Sequence, residues 1–134
     1  MEQLTLMEAY LIEVLRSNGI TEEEIIEAVE NKQVDKFKEV NENFDFNGLY
    51  NIGDQLPEIL ASGYQVKFLT LPGLVNLLRM KHNKEEGKDF VKEKTSITNL
   101  SLTQEEQEAI NQWLSVNWTL KEADETYEIV PSFQ

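Results

Sequence analysis

The chain has no cysteine among its 134 residues, one histidine, three prolines, and only 12 basic side chains against 25 acidic ones. Without cysteine there can be no disulfide, no zinc–thiolate site, no thiol nucleophile and no thiol redox switch, which fits a reducing compartment. With a single histidine, His82, protein-only catalysis is left with Ser/Thr–Lys or carboxylate chemistry. No segment approaches the roughly 18 uncharged apolar residues that a membrane span requires. The N-terminal MEQLTLMEAYLIEVLRSNG places Glu2, Glu8 and Glu13 where a leader needs a basic start and an unbroken apolar run. We therefore expect no leader, no membrane partner and a cytoplasmic protein.

The shortage of positive charge is uneven along the chain. Residues 1–66 hold 14 acids and 4 bases, 67–94 hold 4 acids and 7 bases, and 95–134 hold 7 acids and 1 base, so a segment of +3 lies between flanks of −10 and −6. Such a field repels nucleic acid and anionic membrane everywhere but at the centre. Apolar residues at 40% and charged residues at 28% are close to globular averages, which favours a folded chain over a disordered one. Its length suits a single domain, with an N-terminal helical part at about 5–62 and a strand–helix and C-terminal part at about 63–130.

What is present is a set of legible helix starts. Thr5 with Glu8, Thr21 with Glu24 and Thr103 with Glu106 each match the spacing at which a threonine and a glutamate satisfy each other's orphan backbone N–H groups. The first helix, about 5–17, has an apolar stripe of Met7, Tyr10, Leu11, Val14 and Leu15 and stops at Asn18-Gly19. A second helix runs from Thr21 with Ile25, Ile26 and Val29 inward, and Val34, Phe37, Val40 and Phe44 continue a helical period, so 33–43 is either a third helix or an extension of the second bent near Asn31. NFDFNGLYNIGD is rich in turn formers, and a short helix follows from about Asp54 to Ala61. Tyr64, Val66 and Phe68 alternate with polar residues as in a half-buried strand over 64–69. Thr70 caps a helix over 71–82 that buries Leu71, Leu74, Val75 and Leu78, with Pro72 tolerated in its first turn. Strands are expected within 89–102 and at 126–130, and a helix over 103–116 buries Ile110, Trp113 and Leu114. The fold class is thus α+β and helix-dominated, with five or six helices and a small, mainly antiparallel sheet.

Asn43, Asp45, Asn47, Gly48 and Asp54 fall at positions 1, 3, 5, 6 and 12 of an EF-hand-like loop. A neutral first ligand and a short twelfth one make an ordinary Asx turn the better reading, and we expect no metal and no cofactor. Lys67, Arg79, Lys81, Lys84, Lys88, Lys92 and Lys94, with His82, form the basic segment 67–94. As a helix–turn–helix it fails because the stretch from Gly63 to Thr70 exceeds the usual three- or four-residue turn. As a membrane-surface helix, 71–82 carries too few cations. Cations at a helix C-terminus are favoured by its dipole, and can face acids of the same fold. FLTLPGLVNLLRMKH and LSLTQEEQEAINQWLSVNW match no motif with a stated mechanism.

The sequence holds no complete nucleophile–base pair, phosphate-binding glycine loop or metal-ligand spacing, so no enzyme is expected. The function expected from the sequence is that of a small acidic intracellular regulator or adaptor. It would bind another protein through an acidic helical surface that includes Glu22, Glu23 and Glu27, with nucleic-acid mimicry as one form of it. Trp118 is the candidate aromatic anchor. The alternative is a nucleic-acid-binding module that uses 67–94.

Overall fold

The computed structural model describes residues 1–132 as a helix-dominated α+β protein. Its residues pack as two compact units, Met1–Tyr64 and Gln65–Gln134.

The first unit is helical. A two-residue strand, β1 (Gln3–Leu4), leads into α1 (Leu6–Ser17) and α2 (Glu22–Glu30). The expected caps are in place. The Thr5 and Thr21 hydroxyls each accept the N–H of the glutamate three residues on at 3.1 Å, and those glutamates accept the threonine N–H groups at 2.9 and 3.2 Å. Such caps are worth about 1 kcal/mol each. The stretch 34–55 departs from the expected helix and turn, since it forms two tight 3-10 helices, Val34–Glu39 and Phe46–Gln55. The second of these runs straight into α3 (Leu56–Ser62), which begins two residues later than anticipated and ends at Gly63, φ 94°. In the loop at 43–54, Asp45 caps its own 3-10 helix by accepting the Asn47 N–H at 3.0 Å, and Asn41 accepts the Asn43 N–H at 2.9 Å. These are Asx turns, in which short polar side chains stand in for backbone acceptors.

α1 is buried on more faces than the apolar stripe implied. Leu11, Ile12, Glu13, Val14 and Leu15 are all buried, whereas Met7 is 54% exposed. A helix with consecutive buried positions is surrounded rather than laid on a surface, and that brings a carboxylate inside. Glu13 accepts the Tyr64 hydroxyl at 2.7 Å and an Arg16 guanidinium N–H at 3.3 Å. Arg16 also donates to the Leu60 carbonyl at 3.0 Å and to Glu22 at 3.3 Å. No buried side-chain polar atom among the described residues is left without a partner. Burial, then the Glu13 charge and its hydrogen bond, push the Tyr64 hydroxyl well above the usual tyrosine range, against a smaller opposing effect of Arg16.

The second unit begins with β2 (Gln65–Val66), much shorter than the strand expected over 64–69 and not part of the main sheet. Tyr64 and Val66 are buried as the alternation required, but Phe68 is 62% exposed and Leu69 is buried instead. The reason is local. The Asn117 side chain donates to the Leu69 carbonyl at 2.8 Å and accepts its N–H at 3.3 Å, while the Trp118 indole donates to the same carbonyl at 2.8 Å. These bonds fix Leu69, and the bend at Lys67 breaks the period of two. Helix α4 (Leu71–His82) starts at Thr70, whose hydroxyl accepts the Gly73 N–H at 3.1 Å, and closes at Asn83 in the left-handed conformation, φ 55°. Its buried face is Gly73, Leu74, Leu77 and Leu78 rather than one that includes Leu71 and Val75.

A four-stranded antiparallel sheet follows, of β3 (Val91–Lys92), β4 (Ile97–Leu100), β5 (Trp118–Ala123) and β6 (Thr126–Pro131), in the order β3-β4-β6-β5. Between β4 and β5 runs α5 (Gln104–Trp113), with its Thr103–Glu106 capping box. β5 was not anticipated. It pairs in full register with β6 through a two-residue loop in which Asp124 adopts φ 60°. Asn99, at φ 54°, sits in the register shift between Ile97 and Leu100, where an asparagine tolerates the left-handed turn. Ile97, Leu100 and Ile129 of the sheet, with Ile110, Trp113 and Leu114 of the α5 segment, belong to the buried apolar set of this unit. The Tyr127 hydroxyl ties β6 to α5 by donating to Gln107 at 3.1 Å.

The buried Glu13–Tyr64 bond yields a direct test. Tyr64→Phe removes a donor from a buried carboxylate and should cost about 1–3 kcal/mol, read as a lower urea midpoint at unchanged slope. The wild type should lose stability progressively above about pH 10, where unfolded tyrosine ionises but Tyr64 resists, and Tyr64→Phe should show less of that alkaline loss. Equal midpoints for the two proteins would contradict this role.

Candidate functional site

Two charged regions carry the residues singled out in the sequence, one in each unit. In the second unit, cations gather at the end of α4, where the helix dipole favours them. Arg79 is exposed and donates to Asn76, one turn back, at 3.2 Å. Lys81 lies with its ammonium 6.0 Å from the centroid of the buried Trp113 ring, within cation–π range. His82 accepts the Trp113 indole N–H on Nε2 at 3.1 Å, with the ring planes 20° from parallel. An imidazole nitrogen that accepts carries its lone pair in that bond. His82 Nε2 is therefore occupied by the indole and not presented to a substrate.

Lys84, just past the α4 cap, reaches Glu106 at 3.2 Å, with both side chains largely shielded. Glu106 also accepts the Thr103 N–H at 2.9 Å, so one carboxylate serves as both the capping residue of α5 and the partner of the basic segment. Partial burial raises the Glu106 carboxyl. The Thr103 N–H, the Lys84 ammonium and the Thr103 hydroxyl together outweigh it and hold the group below the usual glutamate range. Lys67 and Lys88 are exposed, on the bend after β2 and in the turn before β3. Trp118, chosen as an anchor, is half-buried with its indole N–H bonded to Leu69. The large apolar side chains most open to solvent in this unit are instead Phe68 and Val116, at 62% and 73% exposure. Val116 carried no periodic signal, and Phe68 carried one for the interior.

In the first unit, α2 presents acids. Glu22, Glu23, Glu24, Glu27 and Glu30 are all exposed, while Ile25 and Ala28 point inward. Three of the five stand in the first turn, where the dipole stabilises negative charge. The backbone N–H and the hydroxyl of Thr21 hold the Glu24 carboxyl below the usual range. Glu22 shares Arg16 at 3.3 Å, whereas among the described residues Glu23 and Glu27 make no ion pair. The unit as a whole carries 14 acids and 4 bases over residues 1–64. Among the described residues no group of three or more histidine, aspartate or glutamate side chains is disposed to hold a metal ion. No helix of the described residues is long and apolar enough to cross a membrane.

The Lys84–Glu106 pair sets an acid-side expectation. A carboxyl held low in the fold contributes stability above its unfolded value, near pH 4.3, and that contribution fades as pH falls through its folded value. Lys84→Met should therefore cost about 0.5–1 kcal/mol at neutral pH, with the gap between variant and wild type narrowing below about pH 4 in thermal unfolding curves. A gap that does not change with pH would show the pair to be energetically idle. The chain matches no known protein family, no curated protein and no solved structure.

Proposed function

We propose that the protein is a non-enzymatic regulator or adaptor of the cytoplasm that binds a basic partner protein through the acidic surface of its first unit. The observation that carries this reading is the outward face of α2, where five glutamates stand exposed and, among the described residues, only Glu22 is in an ion pair. Carboxylates presented this way steer a positively charged surface into contact and suppress wrong partners more than they add affinity. Where the partner's basic surface is itself a nucleic-acid channel, the carboxylates stand in for phosphates.

The state of the basic segment supports the same reading. Lys81, His82 and Lys84 are engaged with Trp113 and Glu106 of the same unit. The cations left exposed, Lys67, Arg79, Lys88, Lys92 and Lys94, are scattered over a bend, a helix end, a turn, a strand and the loop after it. The nucleic-acid alternative rests on those five alone.

The test compares wild type with Glu23→Gln/Glu27→Gln, a change at exposed positions that keeps helix propensity and both caps. Partners captured from a native extract by the wild type should be released by raising salt from about 0.05 to 0.5 M, and should be lost or strongly depleted with the variant. Equal capture by both proteins, or recovery of nucleic acid in place of protein, would overturn the proposal.

A further inference from the structure

Where α2 ends, the first unit opens into a cleft of about 580 Å³ lined by Val29, Glu30, Lys32, Tyr50, Gly53 and Asp54. Its shape follows from two local features. Lys32 takes the left-handed conformation, φ 57°, which is uncommon for a lysine. There it closes α2 with the Gln33 N–H on the Ala28 carbonyl at 2.7 Å and its own N–H on the Val29 carbonyl at 3.3 Å. Gly53, on the facing 3-10 helix, lies so near α2 that a Cβ there would meet Val29 Cγ1 at 3.1 Å. The close approach makes the floor of the cleft, and Tyr50 makes a wall. The Tyr50 hydroxyl accepts the Val34 N–H at 3.5 Å, and the residue is 37% exposed.

The charges around this cleft are unusual in being unused. Glu30, Lys32 and Asp54 are all exposed, and among the described residues none of them makes an ion pair or a side-chain hydrogen bond, though opposite signs line one concavity. We propose that the cleft receives an arginine side chain of the basic partner, a step that rests on the acidic-surface reading above and gives it an anchor. A planar guanidinium can stack on the Tyr50 ring while its fork of N–H donors meets the Glu30 and Asp54 carboxylates, and its methylene stem covers Val29. The surrounding unit, with 14 acids and 4 bases over residues 1–64, attracts a cation from every side. Lys32 is the opposing charge and weakens the binding of any cation, so the preference for arginine over lysine comes from the stacking plane and forked donors of the guanidinium.

The probe is N-acetyl-arginine-N-methylamide, titrated into the full-length ¹⁵N-labelled protein, with the matching lysine and citrulline compounds alongside. Saturable amide shifts confined to residues 29–34 and 50–54 are expected with arginine, at millimolar affinity, with binding at least roughly threefold weaker for lysine and no saturation for neutral citrulline. Asp54→Asn should weaken arginine binding by roughly three- to fivefold, and Lys32→Gln should tighten it by a similar factor. The second variant gains affinity, which a misfolded protein would not do. Equal response to lysine, a response to citrulline, or no shifts in the cleft would overturn the arginine assignment. Loss of partner capture in Glu23→Gln/Glu27→Gln alongside an unresponsive cleft would mean that the anchor fails while the acidic-surface reading stands.

Discussion

Glu13 is a carboxylate withdrawn from water in the middle of α1, and the first unit is arranged around keeping it there. An ionised group taken out of water costs several kcal/mol unless it is paired and hydrogen-bonded. Tyr64 and Arg16 supply those bonds, and each does so only from a fixed place. Tyr64 must follow α3 closely, and the Gly63 turn at φ 94° delivers it. Arg16 must lie one turn beyond Glu13, and its remaining donors then hold Leu60 on α3 and Glu22 at the start of α2. One buried charge thereby fixes the relative positions of three helices. Apolar packing alone would hold them together with less preference for a single arrangement.

The second unit meets the same requirement with neutral groups. Leu69 leaves β2 with its N–H and carbonyl unpaired by any strand, and the Asn117 amide takes both, as a neighbouring backbone would. Ser115 is buried and donates to the same Asn117 oxygen. No buried side-chain polar atom among the described residues is left without a partner, and these side-chain bonds tie the irregular segments 67–70 and 114–117 together. The same bonds hold Phe68 out in solvent against its own hydropathy.

Helix starts were readable because a capping box is a local bargain between a threonine and a glutamate three residues apart, and distant packing does not alter it. All three boxes are formed, and α4 spans the residues its Thr70 cap and cationic end suggested. The errors lie where tertiary contacts decide. The segment 46–55 packs close to α1 at Gly48, where a Cβ would come within 2.8 Å of Leu11 Cδ1, and one glycine in a turn-rich sequence does not announce its neighbour. β5 escaped notice because Trp118, Leu120 and Glu122 alternate weakly, and its identity as a strand is conferred by pairing with β6. Glu13 escaped for a related reason, since an acid next to apolar neighbours reads as the polar edge of a helix until Tyr64, 51 residues away, turns out to face it.

The basic segment shows how a charge pattern in sequence becomes a different pattern in space. Its +3 balance suggested a contact surface, yet its most structured members are drawn inward: Lys81 to an indole face, His82 to the indole N–H, Lys84 to the carboxylate that caps α5. Positive charge in this chain is scarce, and where it is held in place it serves the fold. Negative charge is abundant, and only Glu13, Glu22, Glu106 and Glu128 among the acids are placed in described ion pairs with lysine or arginine. A protein needing charge only for dispersal could scatter both signs over its surface. Here one helix gathers five glutamates on its exposed face, and the last of them, Glu30, shares a cleft with Asp54, Tyr50 and Lys32, a lysine with no ion pair among the described residues. Among the described residues only Glu22 of that face is in an ion pair, and that is the physical ground for the proposal that the acidic face meets a basic partner.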